Sequence, residues 1–204
     1  ENHSLNILAA AYLIDAALER DRAAQRQLLL RFLADRARRG WSEFHSPRYG
    51  LVTAKVLILL AESAPDPTVA DTARLHLDLL LLEFANTGLG TWRGLPSARG
   101  GGFETDLRRD ALFELAALWF GPPPGDSGAV RGSPMLLHAV LSGYRPPAAA
   151  IALLRDPAAR GTYTMTETVT TGPGRLRVPL VLRVSPAAVM ASAQGWGHYY
   201  DGVY

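Results

Sequence analysis

The segment 46–86, SPRYGLVTAKVLILLAESAPDPTVADTARLHLDLLLLEFAN, decides the fold. Ser46-Pro47 is typical of a helix N-cap followed by the first helical residue, and Asp66-Pro67 repeats the signal. These signals predict helices over 47–63 and about 67–86, and both helices are rich in apolar residues on most of their faces. Helices of that kind are buried in a protein interior. The segment therefore predicts two adjacent, heavily buried helices.

Helical spacing of apolar residues continues on both sides of this segment. It predicts helices over 4–20, 22–39, about 105–120, 134–141 and 147–155. The predicted pairs are 4–20 with 22–39, 47–63 with 67–86, and 105–120 with 134–141. Consecutive helical hairpins of this size are typical of a solenoid or an α/α toroid. We therefore predict a mainly α fold, with the helical hairpins of an incomplete α/α toroid.

The composition changes at Gly161, where a run of β-branched and aromatic residues predicts a strand over 162–170. A Gly-Pro-Gly turn follows, and then a second strand over 176–184. Pro179 lies inside that strand, which predicts an edge position or a bulge. Two strands cannot bury a sheet face alone, so this region must pack on the helices or continue further. We predict a helical domain, 1–160, and a short antiparallel β region, 161–204.

The composition excludes several classes of function. The 204 residues include no cysteine, which excludes disulfides, thiolate metal sites and cysteine nucleophiles. The net charge is only +2 and no basic block occurs, so nucleic acid is not an expected partner. The apolar stretches are far shorter than the roughly 20 residues of a membrane span. All but one of the 21 basic residues are arginines, which indicates either a GC-rich bacterial genome or arginines that bind carboxylates.

Sparse polar residues between the apolar helices form the candidate catalytic set, and two tryptophans and a glutamate form the candidate substrate-binding set. The catalytic candidates are Asn2, His3, His45, Tyr49, Arg93 and Arg99, and the binding candidates are Trp41, Glu43 and Trp92. These residue types are the ones needed to remove the C5 proton of a uronic acid. That step requires hydrogen-bond donors that stabilise the enolate, such as Asn and Arg. It also requires a base and an acid, for which His and Tyr are suited. Neither a metal nor a cofactor is expected.

Position favours Tyr49 and His45 within this set. Tyr49 lies at the third residue of its predicted helix, where the positive end of the helix dipole favours a phenolate and a bound carboxylate. His45 lies just outside the cap, so its ring could also lie near the positive end of that helix dipole. Trp41 and Trp92 follow the first two hairpins, where their rings could stack on sugars, and Glu43 could be a second acid or orient Arg or His.

Each of these residues also has a structural interpretation. Tyr49 could anchor a helix start, His45 could bond a loop carbonyl, and Asn2 could be an N-cap. The two tryptophans could simply plug the ends of hairpins. His76 and His138 lie among leucines in predicted helices, and we interpret both as structural or surface residues.

The Glu1-Asn2-His3 start, the stretch 41–49 (WSEFHSPRY) and the later arginines resemble the α/α-toroid polysaccharide lyases. This broad group includes the chondroitin AC, hyaluronate, alginate and heparinase-type lyases. The resemblance covers about residues 1–120 at the level of motifs and the rest by layout only. It implies a toroid followed by an antiparallel β-sandwich, of which 161–204 would be the beginning. It also implies a secreted or periplasmic protein that acts on an anionic polysaccharide.

The resemblance implies a role for each candidate residue. Asn2 would neutralise the uronate carboxylate, and His45 or Tyr49 would abstract the C5 proton. Tyr49 would also donate to the leaving oxygen, and Arg93 or Arg99 would bind the acidic sugar. The spacing from His45 to Tyr49 is shorter than in the chondroitin AC lyases, which makes His3 an alternative histidine.

The asparagine stands at the very start of the sequence. The resemblance therefore implies the C-terminal part of a toroid, associated with the remainder of a longer chain. Two other functions stay open. A six-hairpin glycoside hydrolase would draw two carboxylates from Glu43, Glu104, Asp106 and Asp110. A non-catalytic helical scaffold would use the polar residues only as caps.

Overall fold

The computed structural model describes residues 2–41, 45–46, 49–89, 111–121, 136–171 and 176–193. The described residues form seven α-helices, one 3-10 turn over Pro157–Arg160 and three strands. The helices are α1 Asn2–Ala17, α2 Ala23–Arg39, α3 Tyr49–Ser63, α4 Pro67–Thr87, α5 Ala111–Phe120, α6 Leu137–Leu141 and α7 Ala148–Arg155. The strands are β1 Tyr163–Thr171, β2 Leu176–Val184 and β3 Val189–Ala193. The predicted fold class, a mainly helical region followed by a small antiparallel β region, is confirmed.

Both predicted caps in the fold-deciding segment are formed. The hydroxyl of Ser46 accepts a hydrogen bond from the amide of Tyr49 at 3.3 Å, and Ser46 is buried. The carboxylate of Asp66 accepts from the amides of Thr68 and Val69 at 2.8 and 3.3 Å. These bonds satisfy amides that have no partner inside the helix, so they fix where α3 and α4 begin.

The first two predicted hairpins are present, because α1 packs on α2 and α3 packs on α4. Contacts between hairpins show that α2 and α4 run parallel: Arg26 meets Asp66 near their starts, and the backbone of Leu33 meets His76 further along. Helices α1 and α3 also pack on each other. The third predicted pair differs, since α5 packs on α3 and α7, whereas α6 packs on α3.

The hydrophobic core lies between these helices, and α3 contributes to it on most of its faces, as its sequence predicted. The fully buried large side chains include Leu5, Tyr12, Leu29, Leu33, Leu51, Leu57, Leu77 and Phe84. Gly50 allows α5 to approach the first turn of α3, because a Cβ atom there would lie 2.3 Å from Cδ1 of Leu112. Within the described residues, no helix combines the length and apolarity that crossing a membrane requires.

The three strands form one antiparallel sheet in the order β1-β2-β3. The pairing of β1 with β2 runs without interruption from Tyr163–Val184 to Thr171–Leu176, so the bulge predicted for Pro179 does not occur. Strand β2 is central, and within the described residues β3 pairs with Leu180–Val184. Among the described residues, Pro179 is paired with Thr168 of β1 only, which fits the edge position that its missing amide hydrogen predicts.

Hydrogen bonds join the sheet region to the helices at the end of α4. The guanidinium of Arg160 faces the carbonyl oxygens of Ala85, Asn86 and Gly88, and its other terminal nitrogen donates to Ser185 at 3.0 Å. A cation here satisfies carbonyls that a helix leaves without partners at its C-terminus. The sheet region is thus bound to the helices by hydrogen bonds, which is one of the two arrangements that the sequence left open for the β region.

Candidate functional site

One end of the helical layers collects the described catalytic candidates. Short connections join α1 to α2 and α3 to α4, so the members of each pair run antiparallel. Because α2 and α4 are parallel, α1 and α3 also begin at a common end. We call this the site end: it is the end where α1 and α3 begin and where α2 and α4 finish. His3, His45 and Tyr49 all belong to it.

Three side chains from distant parts of the chain meet at the site end. The Nε2 atom of His45 lies 3.0 Å from Oε1 of Glu83 and 3.5 Å from Oε2 of Glu167. Glu83 is near the end of α4, and Glu167 is in the middle of β1. We call these three residues the His45 cluster. It spans the loop before α3, the end of α4 and the sheet.

The backbone at His45 is strained. Its φ angle is 48°, which lies in the left-handed region that non-glycine residues rarely adopt. Such a conformation costs roughly 1–3 kcal/mol and persists only where the surroundings enforce it. The next residue is the buried cap Ser46, so the loop is anchored to α3 immediately after the turn. The backbone at residues 45 and 46 is therefore held in a geometry that places the imidazole beside the two glutamates.

Burial distinguishes the members of the cluster. The His45 side chain is 2% exposed, whereas those of Glu83 and Glu167 are 29% and 22% exposed. The Oε2 atom of Glu167 is itself buried and receives no hydrogen bond from the described residues. Two carboxylates therefore face one imidazole. The cluster can therefore hold a proton or a cation.

The structure places the other predicted site residues as follows. Tyr49 is half-buried in the first turn of α3, and His3 is exposed in the first turn of α1. Asn2 is the first residue of α1 rather than a cap before it, and its side chain is outside the described part of the chain. The candidates outside the described residues are Glu43, Trp92, Arg93 and Arg99, with the hydrolase candidates Glu104, Asp106 and Asp110.

Trp41 packs into the hairpin. Its ring lies 6.3 Å from the ring of Phe32 and 5.9 Å from that of His76, and it is partly buried against the core. His76 is 4% exposed, and burial lowers the pKa of its imidazole. The structural interpretation of His76 is thus confirmed. Trp41 has a packing role, and its contact with sugar stays a prediction.

Sequence reasoning missed Glu83 and Glu167. A signal was present for each, because Glu83 interrupts the apolar run Leu79–Leu82 and Phe84, and Glu167 is the only charged residue in β1. A charge in such a position is seldom retained without a partner. The partner could not be named, however, because His45 is remote from both in sequence.

No family model, curated protein or solved structure matches the chain. The likeness of segments 1–3 and 41–49 to the toroid lyases therefore depends on short motifs.

Proposed function

We propose that this chain is a lyase that cleaves a uronic-acid-containing polysaccharide by β-elimination. One observation carries the proposal: the starts of α1 and α3, which hold His3 and Tyr49, share an end with the strained loop at His45. Acid and base groups at the starts of neighbouring helices would act in a field that favours anions. A uronate polymer is such an anion.

Tyr49 is the group we propose for proton transfer. It is half-buried, and it lies in the first turn of α3, where the helix dipole favours a bound anion such as a uronate. The phenolate would take the proton from C5, the bond from C4 to the glycosidic oxygen would break, and a C4–C5 double bond would form. The phenol would then return its proton to the leaving oxygen, so the residue ends as it began.

The remaining roles follow from exposure and from the motif resemblance. A polymer can reach the exposed His3 but not the 2%-exposed ring of His45. We therefore propose His45 as a positioning residue that holds the loop before α3, and His3 as the histidine nearer the substrate. Asn2, Arg93 and Arg99 are proposed to stabilise the carboxylate, as the resemblance implies.

The test is incubation with a panel of uronic-acid polymers. The wild-type protein should release unsaturated ends that absorb ultraviolet light, because elimination leaves a conjugated double bond. Tyr49→Phe should lower kcat by about 10²–10⁴-fold while sugar binding persists. Tyr144→Phe is the matched control, since its hydroxyl bonds Asp78 at 2.6 Å within the helical layers.

Two results would overturn the proposal in different ways. New reducing ends without ultraviolet absorbance would identify a hydrolase. Absence of cleavage, with the same sugar binding in the wild type and in Tyr49→Phe, would identify a non-catalytic scaffold.

A further inference from the structure

We propose that His45, Glu83 and Glu167 form a binding site for a divalent transition-metal ion of the zinc type. This inference is independent of the lyase proposal, because it concerns binding by the cluster and not turnover at Tyr49. Nothing in the sequence predicted it, since the ligands come from a loop, a helix and a strand.

The distances within the cluster fit such an ion. Ligand atoms at about 2.0–2.2 Å from a tetrahedral zinc ion stand about 3.4 Å apart. The imidazole Nε2 lies 3.0 Å from Glu83 and 3.5 Å from Glu167, and the three candidate ligand atoms all lie within 4.8 Å of one another. Small side-chain movements therefore suffice to place an ion between them.

The donor types indicate which cations the site would prefer. Imidazole nitrogen suits zinc and its neighbours, whereas calcium and magnesium prefer sites built wholly from oxygen. One imidazole and two carboxylates supply three protein ligands, which leaves a fourth position for water or another group. The two carboxylates would neutralise the charge of a divalent ion.

A proton on His45 would interact with fewer of these side chains than a metal ion would. A hydrogen on Nε2 of His45 can point at one carboxylate at a time, and the more distant one belongs to Glu167. The buried Oε2 of Glu167 receives no hydrogen bond from the described residues. If the Nε2 hydrogen of His45 points at Glu83, this oxygen of Glu167 still has no donor among them. An ion would bind all three side chains at once.

Metal binding would connect the loop before α3, the end of α4 and β1. These three segments meet at the site end. An ion that binds only the folded chain stabilises it by mass action. Zinc should therefore raise the melting temperature as well as bind.

The test is calorimetric titration of metal-stripped protein with zinc chloride at neutral pH. We expect about one equivalent of zinc per chain and an increase in Tm that Glu167→Gln reduces. Glu167→Gln and His45→Asn should each weaken zinc binding by about tenfold or more. Asparagine is chosen at position 45 because it tolerates the left-handed backbone.

His3→Asn is the matched control, because it removes an exposed imidazole outside the cluster and should leave zinc binding unchanged. Circular dichroism checks that each variant is folded, and Glu167→Gln keeps the proposal testable if His45→Asn does not fold. The proposal is wrong if the wild type binds no zinc. It is equally wrong if a folded Glu167→Gln binds zinc as tightly as the wild type, or if His3→Asn abolishes binding.

Discussion

The two ends of the helical layers have different chemistry. At the far end, where α2 and α4 begin, the carboxylate of Asp66 caps α4 and pairs with Arg26 at 2.5 Å. At the site end, a residue with positive φ delivers a buried imidazole to two glutamates. The far end shows what folding alone requires of polar residues. Each end contains a non-glycine residue with positive φ, Glu19 at the far end and His45 at the site end, so what distinguishes the site end is a buried imidazole that faces two glutamates.

The largest expected effect comes from removing the guanidinium that fastens the sheet to the site end. Arg160→Ala should lower the free energy of unfolding by about 2–4 kcal/mol, because carbonyls at the end of α4 and at Ser185 lose a charged donor. Urea denaturation measures the change. Arg155→Ala is the control, since Arg155 is exposed at the end of α7. Equal stability of the two variants would show that the sheet is held by other contacts.

Local signals account for the parts of the fold that the sequence predicted. Caps such as Ser46 and Asp66 act within three residues of themselves, so the starts of α3 and α4 can be predicted from the adjacent sequence. The change from helical spacing to β-branched residues likewise places the boundary between Arg160 and Tyr163. Such features need no knowledge of the tertiary fold.

The missed features depend on tertiary contacts or on weak local patterns. Glu83 and Glu167 meet His45 only because α4 ends beside the sheet, and no sequence spacing encodes that meeting. Strand β3 is five residues long and includes two alanines, so its own sequence hardly favours a strand. Its pairing with β2 supplies what its composition lacks.

A second, smaller effect should appear at the far end. Asp66→Ala removes both the cap of α4 and the pair with Arg26, and it should cost about 1–2 kcal/mol. Asp66→Asn should cost less, because asparagine caps a helix equally well and loses only the charge. Asp71→Ala, an exposed change within α4, should have little effect. Thermal or urea unfolding at neutral pH ranks the three variants.

The carboxylate of Asp66 should also make the stability of the folded chain depend on pH. Its hydrogen bonds with Arg26 hold the pKa of Asp66 at about 2, below the ordinary value of 3.8. A lowered folded-state pKa contributes stability that is complete above about pH 5 and is lost as the pH falls through about 2. Asp66→Asn should abolish this part of the acid sensitivity. An unchanged acid profile in that variant would show that the pKa of Asp66 is the same in the folded and the unfolded chain.

The smallest expected effect concerns His76, which lies in α4 between the two ends. Burial lowers the pKa of its imidazole below the ordinary 6.5, so the unfolded chain takes up a proton near pH 6 that the folded chain rejects. The folded state should therefore lose stability as the pH falls below 6.5, by at most about 1.4 kcal/mol at pH 5.5. His76→Gln removes the titration, so the difference in unfolding free energy between wild type and variant should change between pH 7.5 and 5.5. A constant difference would mean that His76 is protonated as readily in the folded chain as in the unfolded one, and that the middle of the layer is less dry than its packing against Trp41 indicates.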